Sequence, residues 1–141
     1  MMAAVRGRDT YPELKIRSLL HSAGLRYRLH ARDLPGRPDL VLRKYKAVIF
    51  VNGCFWHQHV GCRAASMPKT NMEFWQPKLK MNVTRDIRNV SKLRELNWRV
   101  GIVWECSIQK IPDEQILATI LSWLRNNSEI LEISALETPG A

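Results

Sequence analysis

The chain is poor in cysteine and in acidic residues, and it has no long apolar run. Three cysteines in 141 residues cannot build the disulfide framework of a small secreted protein, which leaves metal ligation as the better use of the thiols. No apolar stretch approaches the roughly 20 residues that span a bilayer. The N-terminal residues carry no apolar segment of the signal-peptide type. Together these absences argue against a membrane partner and lead us to expect an intracellular protein. Thirteen acidic residues face 22 lysines and arginines, a formal charge of +9. That surplus favours a polyanionic partner, nucleic acid first, with a merely solvated basic surface as the alternative. The length predicts one domain, large enough to bury its own core.

Thr10-Tyr11-Pro12-Glu13 reads as a helix start, with Thr10 as N-cap and Glu13 placed for a capping box. Leu14, Ile16, Leu19 and Leu20 supply its apolar face, and Gly24 ends it. Leu25 to Leu29 alternates as a half-buried strand. After a loop stiffened by Pro35 and Pro38, Asp39 opens a strand through Leu42, and Arg43 to Lys46 turns the chain into a buried strand, Ala47 to Val51. Residues 52–77 show no period, and so long a loop needs a function or a tie other than a core. Apolar residues recurring from Leu79 to Leu96 predict a helix between Lys78 and Asn97. Trp98 to Trp104 predicts a strand, Ile116 to Leu124 a last helix, and residues 127–141 a flexible tail. The expected order α-β-β-β-α-β-α is that of a mixed sheet flanked by helices.

The chemistry concentrates in Asn52-Gly53-Cys54-Phe55-Trp56-His57-Gln58-His59-Val60-Gly61-Cys62. Thiolates and imidazoles this close can meet one cation. A structural zinc takes four such ligands in a tetrahedron. Cys54, His59 and Cys62 are local candidates, and Cys106 completes a Cys3His set if its strand neighbours theirs. The plainer reading is buried thiols acting as small apolar residues. His57 is then left as a general base, or it replaces Cys106 as the fourth ligand. Asp39 is a candidate magnesium ligand, since that ion takes hard oxygen donors and keeps several waters; as an ordinary turn aspartate it would need no role. Glu13 can likewise serve the helix start alone, or place a carboxylate over the same site.

Phe55, Trp56 and Trp75 lie in the irregular segment, where they can stack on bases or wedge between them, or instead form a small core around the zinc. Lys78, Lys80, Arg85, Arg88, Lys92 and Arg94 offer phosphate contacts along the predicted helix, or a solvated face.

Four blocks together resemble the very short patch repair (Vsr) mismatch endonucleases: Leu34-Pro-Gly-Arg-Pro-Asp39, Val48-Ile-Phe-Val-Asn-Gly-Cys-Phe-Trp-His57, Glu73-Phe-Trp75 and Val103-Trp-Glu-Cys106. The resemblance runs from Met2 to Ile108. It implies a restriction-endonuclease-like (PD-(D/E)XK-type) core and a nick 5′ to the thymine of a T·G mismatch left by deamination of 5-methylcytosine. It implies magnesium held by Asp39 and the main-chain carbonyl of Val51, His57 activating water, and Glu13 as a further active-site acid. Cys54, His59, Cys62 and Cys106 match structural zinc ligands. Phe55, Trp56 and Trp75 match aromatics that wedge into DNA beside the mismatch, and Met2 matches a residue entering from the other groove.

The resemblance also implies a monomeric bacterial protein of the nucleoid-containing cytoplasm, acting on double-stranded DNA, with mismatch-repair proteins as partners. Three departures stand out. Asn52 replaces a second active-site histidine, an extra residue lies between His59 and Cys62, and the N-terminal arm (residues 1–9) is short. Two rivals remain open: a restriction enzyme cutting both strands, and a zinc-stabilised mismatch reader that does not cut.

Overall fold

The computed structural model describes residues 10–136. Its centre is a five-stranded sheet of β1 (Arg28–Leu29), β2 (Leu40–Leu42), β3 (Ala47–Asn52), β4 (Arg99–Trp104) and β5 (Ile130–Ile133), whose spatial order follows the chain. The first three strands form an antiparallel meander, and β3, β4 and β5 run parallel. Four helices accompany them: α1 (Tyr11–Ser22), α2 (Met72–Glu95), α3 (Glu105–Lys110) and α4 (Asp113–Arg125).

Side-chain alternation along the strands divides the core. Leu40, Leu42, Ala47, Ile49 and Val103 pack with Ile16 and Leu20 of α1 and with Ile116, Ile120 and Trp123 of α4. Val41, Val48 and Val100 pack on the other face against Leu93 of α2. The result is the mixed sheet flanked by helices that the sequence predicts. Gly101 permits a close contact in the core: a Cβ there would stand 3.1 Å from the Trp123 ring. That ring is pinned by its N–H to Ser128 O at 3.0 Å and by the Arg99 guanidinium over its face, so it has little room to yield.

Several expectations change. The tail after Asn126 is not loose throughout: Ile130-Leu131-Glu132-Ile133 pairs in parallel with β4, and Ile133 is buried. Its short apolar alternation is hidden among polar neighbours. The strand expected from Leu25 narrows to Arg28–Leu29. The long helix begins at Met72, so Pro77 lies inside it and not at its border. A proline there forgoes one backbone bond; Trp75, packed on Phe55 and Trp56, anchors the turn before it. Helix α3, directly after β4, was not expected. Among the described residues no helix is long and apolar enough to cross a membrane.

Candidate active site and metal centre

The site lies where β3 and β4 end. These strands are parallel and in register, Asn52 beside Trp104, so the segments that leave them emerge together. Open α/β sheets gather functional groups at such carboxyl ends. Because β2 runs antiparallel to β3, its beginning reaches the same edge, and Asp39 arrives next to Val51. The Val51 N–H donates to Asp39 Oδ2 at 2.7 Å.

Glu13 joins from the first turn of α1. Its N–H donates to the Thr10 hydroxyl at 3.4 Å, which sets the helix start. Its carboxylate is 2 % exposed and is held at Oε2 by Arg17 Nη2 and His30 Nε2, each at 2.7 Å. Burial pushes the Asp39 carboxyl up to about 8, and Glu13 adds to the rise while the Val51 N–H and Arg17 oppose it. Two acids confined together resist shared ionisation, which a divalent cation relieves. The oxygen donors at this edge, the Asp39 carboxylate and the Val51 carbonyl, are the hard ligands magnesium takes.

Asp39, Glu13, Val51 and Asn52 line a groove of about 960 Å³ that His57 and Asp86 also line. His57 Nδ1 lies 2.5 Å from Asp86 Oδ2 of α2, a contact that fixes the imidazole ring. Gln58 adopts a left-handed conformation, φ 49°, between the two histidines. His57 therefore faces the groove while His59 turns inward and is buried.

His59 meets the three cysteines. The ligand atoms of Cys54, His59, Cys62 and Cys106 all lie within 4.8 Å of one another. His59 Nδ1 is 3.5 Å from Cys54 Sγ and 3.6 Å from Cys106 Sγ. A tetrahedral zinc would set nitrogen and sulfur about 3.6 Å apart, so chemistry and spacing both fit that ion. Burial, above all, pushes the Cys54 thiol up to about 12, and it lowers His59. A bound cation reverses the thiol's preference, and the neutral imidazole is the form that ligates. Cys106, not His57, supplies the fourth donor of this cluster.

The cluster is braced from β5. Ser134 Oγ is 3.2 Å from His59 Nε2, and the Ala135 N–H donates to Cys106 Sγ at 3.5 Å. Trp104 stacks on His59 at 4.1 Å, its own N–H given to Glu132 at 2.6 Å.

Phe55, Trp56 and Trp75 form one group with ring centres 5.1 to 5.6 Å apart. They pack on each other yet remain partly exposed. Phe74, 60 % exposed, adds a fourth ring 5.0 Å from Trp75. Lys78 and Arg85 line the groove. Arg94 instead donates to Trp98 O at 2.7 Å and pairs with Glu129, so it braces the end of α2. Met2 lies outside the described residues.

The sequence reading misses Arg17, His30, Asp86 and Phe74. Asp86 stands 29 residues from His57 on a helix read as basic, and His30 sits alone in a polar run. No local spacing links either to the site. Phe74 was legible, lying inside the Glu73-Phe74-Trp75 block.

A model of the family described as DNA mismatch endonuclease Vsr matches residues 1–63. The chain is 45% identical over 126 residues to the DNA mismatch endonuclease Vsr of Escherichia coli, covering 87% of this chain and 80% of that one. This chain belongs to the Vsr family. Its similarity extends to a type II nicking enzyme of Xanthomonas oryzae, V.XorIIP, at 47% identity over 111 residues, 79% of this chain and 81% of the relative. In three dimensions this Vsr-family chain matches the catalytic domain of the homing endonuclease I-Bth0305I with a TM-score of 0.56 and 21% identity, over 82% of this chain and 94% of the other. That likeness concerns the fold.

Proposed function

We propose that this chain is a magnesium-dependent endonuclease that nicks double-stranded DNA 5′ to the thymine of a T·G mismatch, initiating very short patch repair. The observation that carries the reading is the groove lined both by the half-buried Asp39 with the buried Glu13 and by the His57–Asp86 pair. Family membership and the named activity of the Escherichia coli relative support the choice of substrate.

Asp39 and the Val51 carbonyl would hold magnesium. Bound there, magnesium polarises the phosphate and acidifies water. With Nδ1 engaged by Asp86, His57 Nε2 takes a proton from the attacking water as the water oxygen adds to phosphorus and the bridging P–O bond breaks. Glu13 orients water beside Asp39. Phe55, Trp56 and Trp75 enter the distorted duplex at the mismatch, with Met2 approaching from the other groove. Cys54, His59, Cys62 and Cys106 hold a structural zinc, which supplies rigidity to the loop carrying His57 and the aromatics.

The finer classification as a restriction-endonuclease-like (PD-(D/E)XK-type) core is supported by the nuclease fold likeness. We read the chain as one endonuclease domain, residues 1–9 being its arm, acting as a monomer in the bacterial cytoplasm at the nucleoid, with mismatch-repair proteins as partners.

The test is a labelled duplex with one T·G pair, set beside its T·A counterpart, in magnesium and in EDTA. One magnesium-dependent nick 5′ to the thymine is expected, and Asp39→Ala should abolish it while mismatch binding persists. Cleavage of both strands of the T·A duplex would favour the restriction-type rival. Binding without any cut would favour the non-catalytic reader.

A further inference from the structure

We propose that His30 is a positioning residue of the nicking site, holding the Glu13 carboxylate alongside Asp39; this rests on the reading of those acids given above. His30 follows β1 in a left-handed conformation, φ 46°, which a residue with a side chain adopts at a cost and which concentrates at functional sites. The conformation makes it a bridge. Its backbone N–H donates to Asp39 O at 3.2 Å, and its Nε2 lies 2.7 Å from Glu13 Oε2. One residue thus grips both acids, the first by main chain and the second by side chain.

With Glu13 as carboxylate, the tautomer that makes this 2.7 Å contact a hydrogen bond carries the proton on Nε2, and His30 then donates. Arg17 Nη2 donates to the same Glu13 oxygen at 2.7 Å. Two donors from different directions fix the carboxylate plane, which one flexible guanidinium would not. The Glu13, His30 and Asp39 ligand atoms lie within 4.8 Å of one another, a spacing that also invites a cation among the three. The Arg17 guanidinium already bonds the shared Glu13 oxygen, and its positive charge opposes a metal at that point. Glu13 and Asp39 line the groove, and His30 is not among its lining residues. It therefore acts through Glu13 and not on the substrate.

The experiment compares the parent full chain with His30→Ala and His30→Gln. Magnesium binding is measured directly by titration calorimetry. Nicking of the T·G duplex is followed against magnesium and, separately, against DNA concentration, and Tm is recorded for each protein. Glu13 orients a water of the magnesium site at Asp39, so His30 supports that site from its outer shell, where loss of a hydrogen bond typically weakens the metal roughly 10- to 100-fold. His30→Ala should raise the half-saturating magnesium by at least the lower figure in both assays and leave the KM for DNA near the parent value. His30→Gln, whose amide can still donate to Glu13, should titrate close to the parent.

A merely structural clamp would lower Tm and leave the magnesium titration in place, and that outcome overturns the proposal. So does a His30→Gln that shifts magnesium as far as His30→Ala. If His30→Ala does not fold, His30→Asn, one methylene too short to reach, takes its place under the same criteria. A parent that binds magnesium but leaves the T·G duplex intact refutes the functional reading, while calorimetry still decides His30.

Discussion

Half-buried Asp39 and buried Glu13 share one corner of the groove, and most of the site's electrostatics follows from that crowding. The raised Asp39 value lies above the ordinary carboxyl value of about 4, so the folded, metal-free protein keeps a proton that the unfolded chain releases. This contribution to stability is complete below the ordinary value and is lost as pH rises through about 8. Asp39→Asn imitates the protonated form and should escape the loss. In EDTA, the Tm of the parent relative to Asp39→Asn should therefore fall steadily from about pH 5 to about pH 9. A difference that stays flat would place Asp39 in water. The second prediction concerns the pair across the groove. His57→Ala should slow nicking by roughly 10²- to 10⁴-fold, the ordinary worth of a positioned base. Asp86→Asn, which keeps the imidazole but loses its anionic partner, should cost less. Single-turnover rates on the T·G duplex would check both, and a normal rate in His57→Ala would remove it as the base.

Among the elements, β5 contributes most that was not foreseen. It adds the last parallel strand, and its continuation supplies Ser134 and Ala135 to the Cys/His cluster. Deleting residues 128–141 should cost about 3 kcal/mol or more from the burial of Leu131 and Ile133 alone, and zinc content should fall with Tm. Cys106→Ser removes a ligand atom and leaves the strand intact, so it should also lower zinc and Tm together. Metal analysis paired with thermal melts reads both variants. Zinc retained in full by Cys106→Ser would exclude it as a ligand. Helix α2 holds a different lesson. Its apolar period was legible from Leu79 onward, but its first turns follow from aromatic packing against the Phe55–Trp56 loop, which outweighs the local objection of Pro77.

For the whole molecule, the +9 charge is put to more than one use: Lys78 and Arg85 line the groove while Arg94 is spent on structure. Binding carried by phosphate contacts loses affinity linearly on logarithmic axes, with a slope of about −0.9 per contact. Mismatch affinity should therefore drop steeply with salt, whereas the preference for T·G over T·A should change far less, because in the proposed binding mode stacking and wedging carry it. Binding isotherms at several salt concentrations would test this, and a salt-independent affinity would rule out a phosphate-dominated interface.

The sequence by itself determined the strands β2, β3 and β4, the cap and face of α1, and the residue types of both candidate metal sites, because period, caps and clustered donor residues are local signals. Cys106 could be nominated only on the condition that its strand neighbours that of Cys54, and the parallel register of β3 and β4 meets that condition. Only the tertiary structure decided the rest. It set His30 on Glu13 and Asp86 on His57, brought His59 to Cys106, and made a strand of Ile130–Ile133 by pairing it with β4. The physical reason is the same in each case. These contacts join residues far apart in the chain, and their energy comes from burial and pairing that exist only once the sheet has brought its strand ends together.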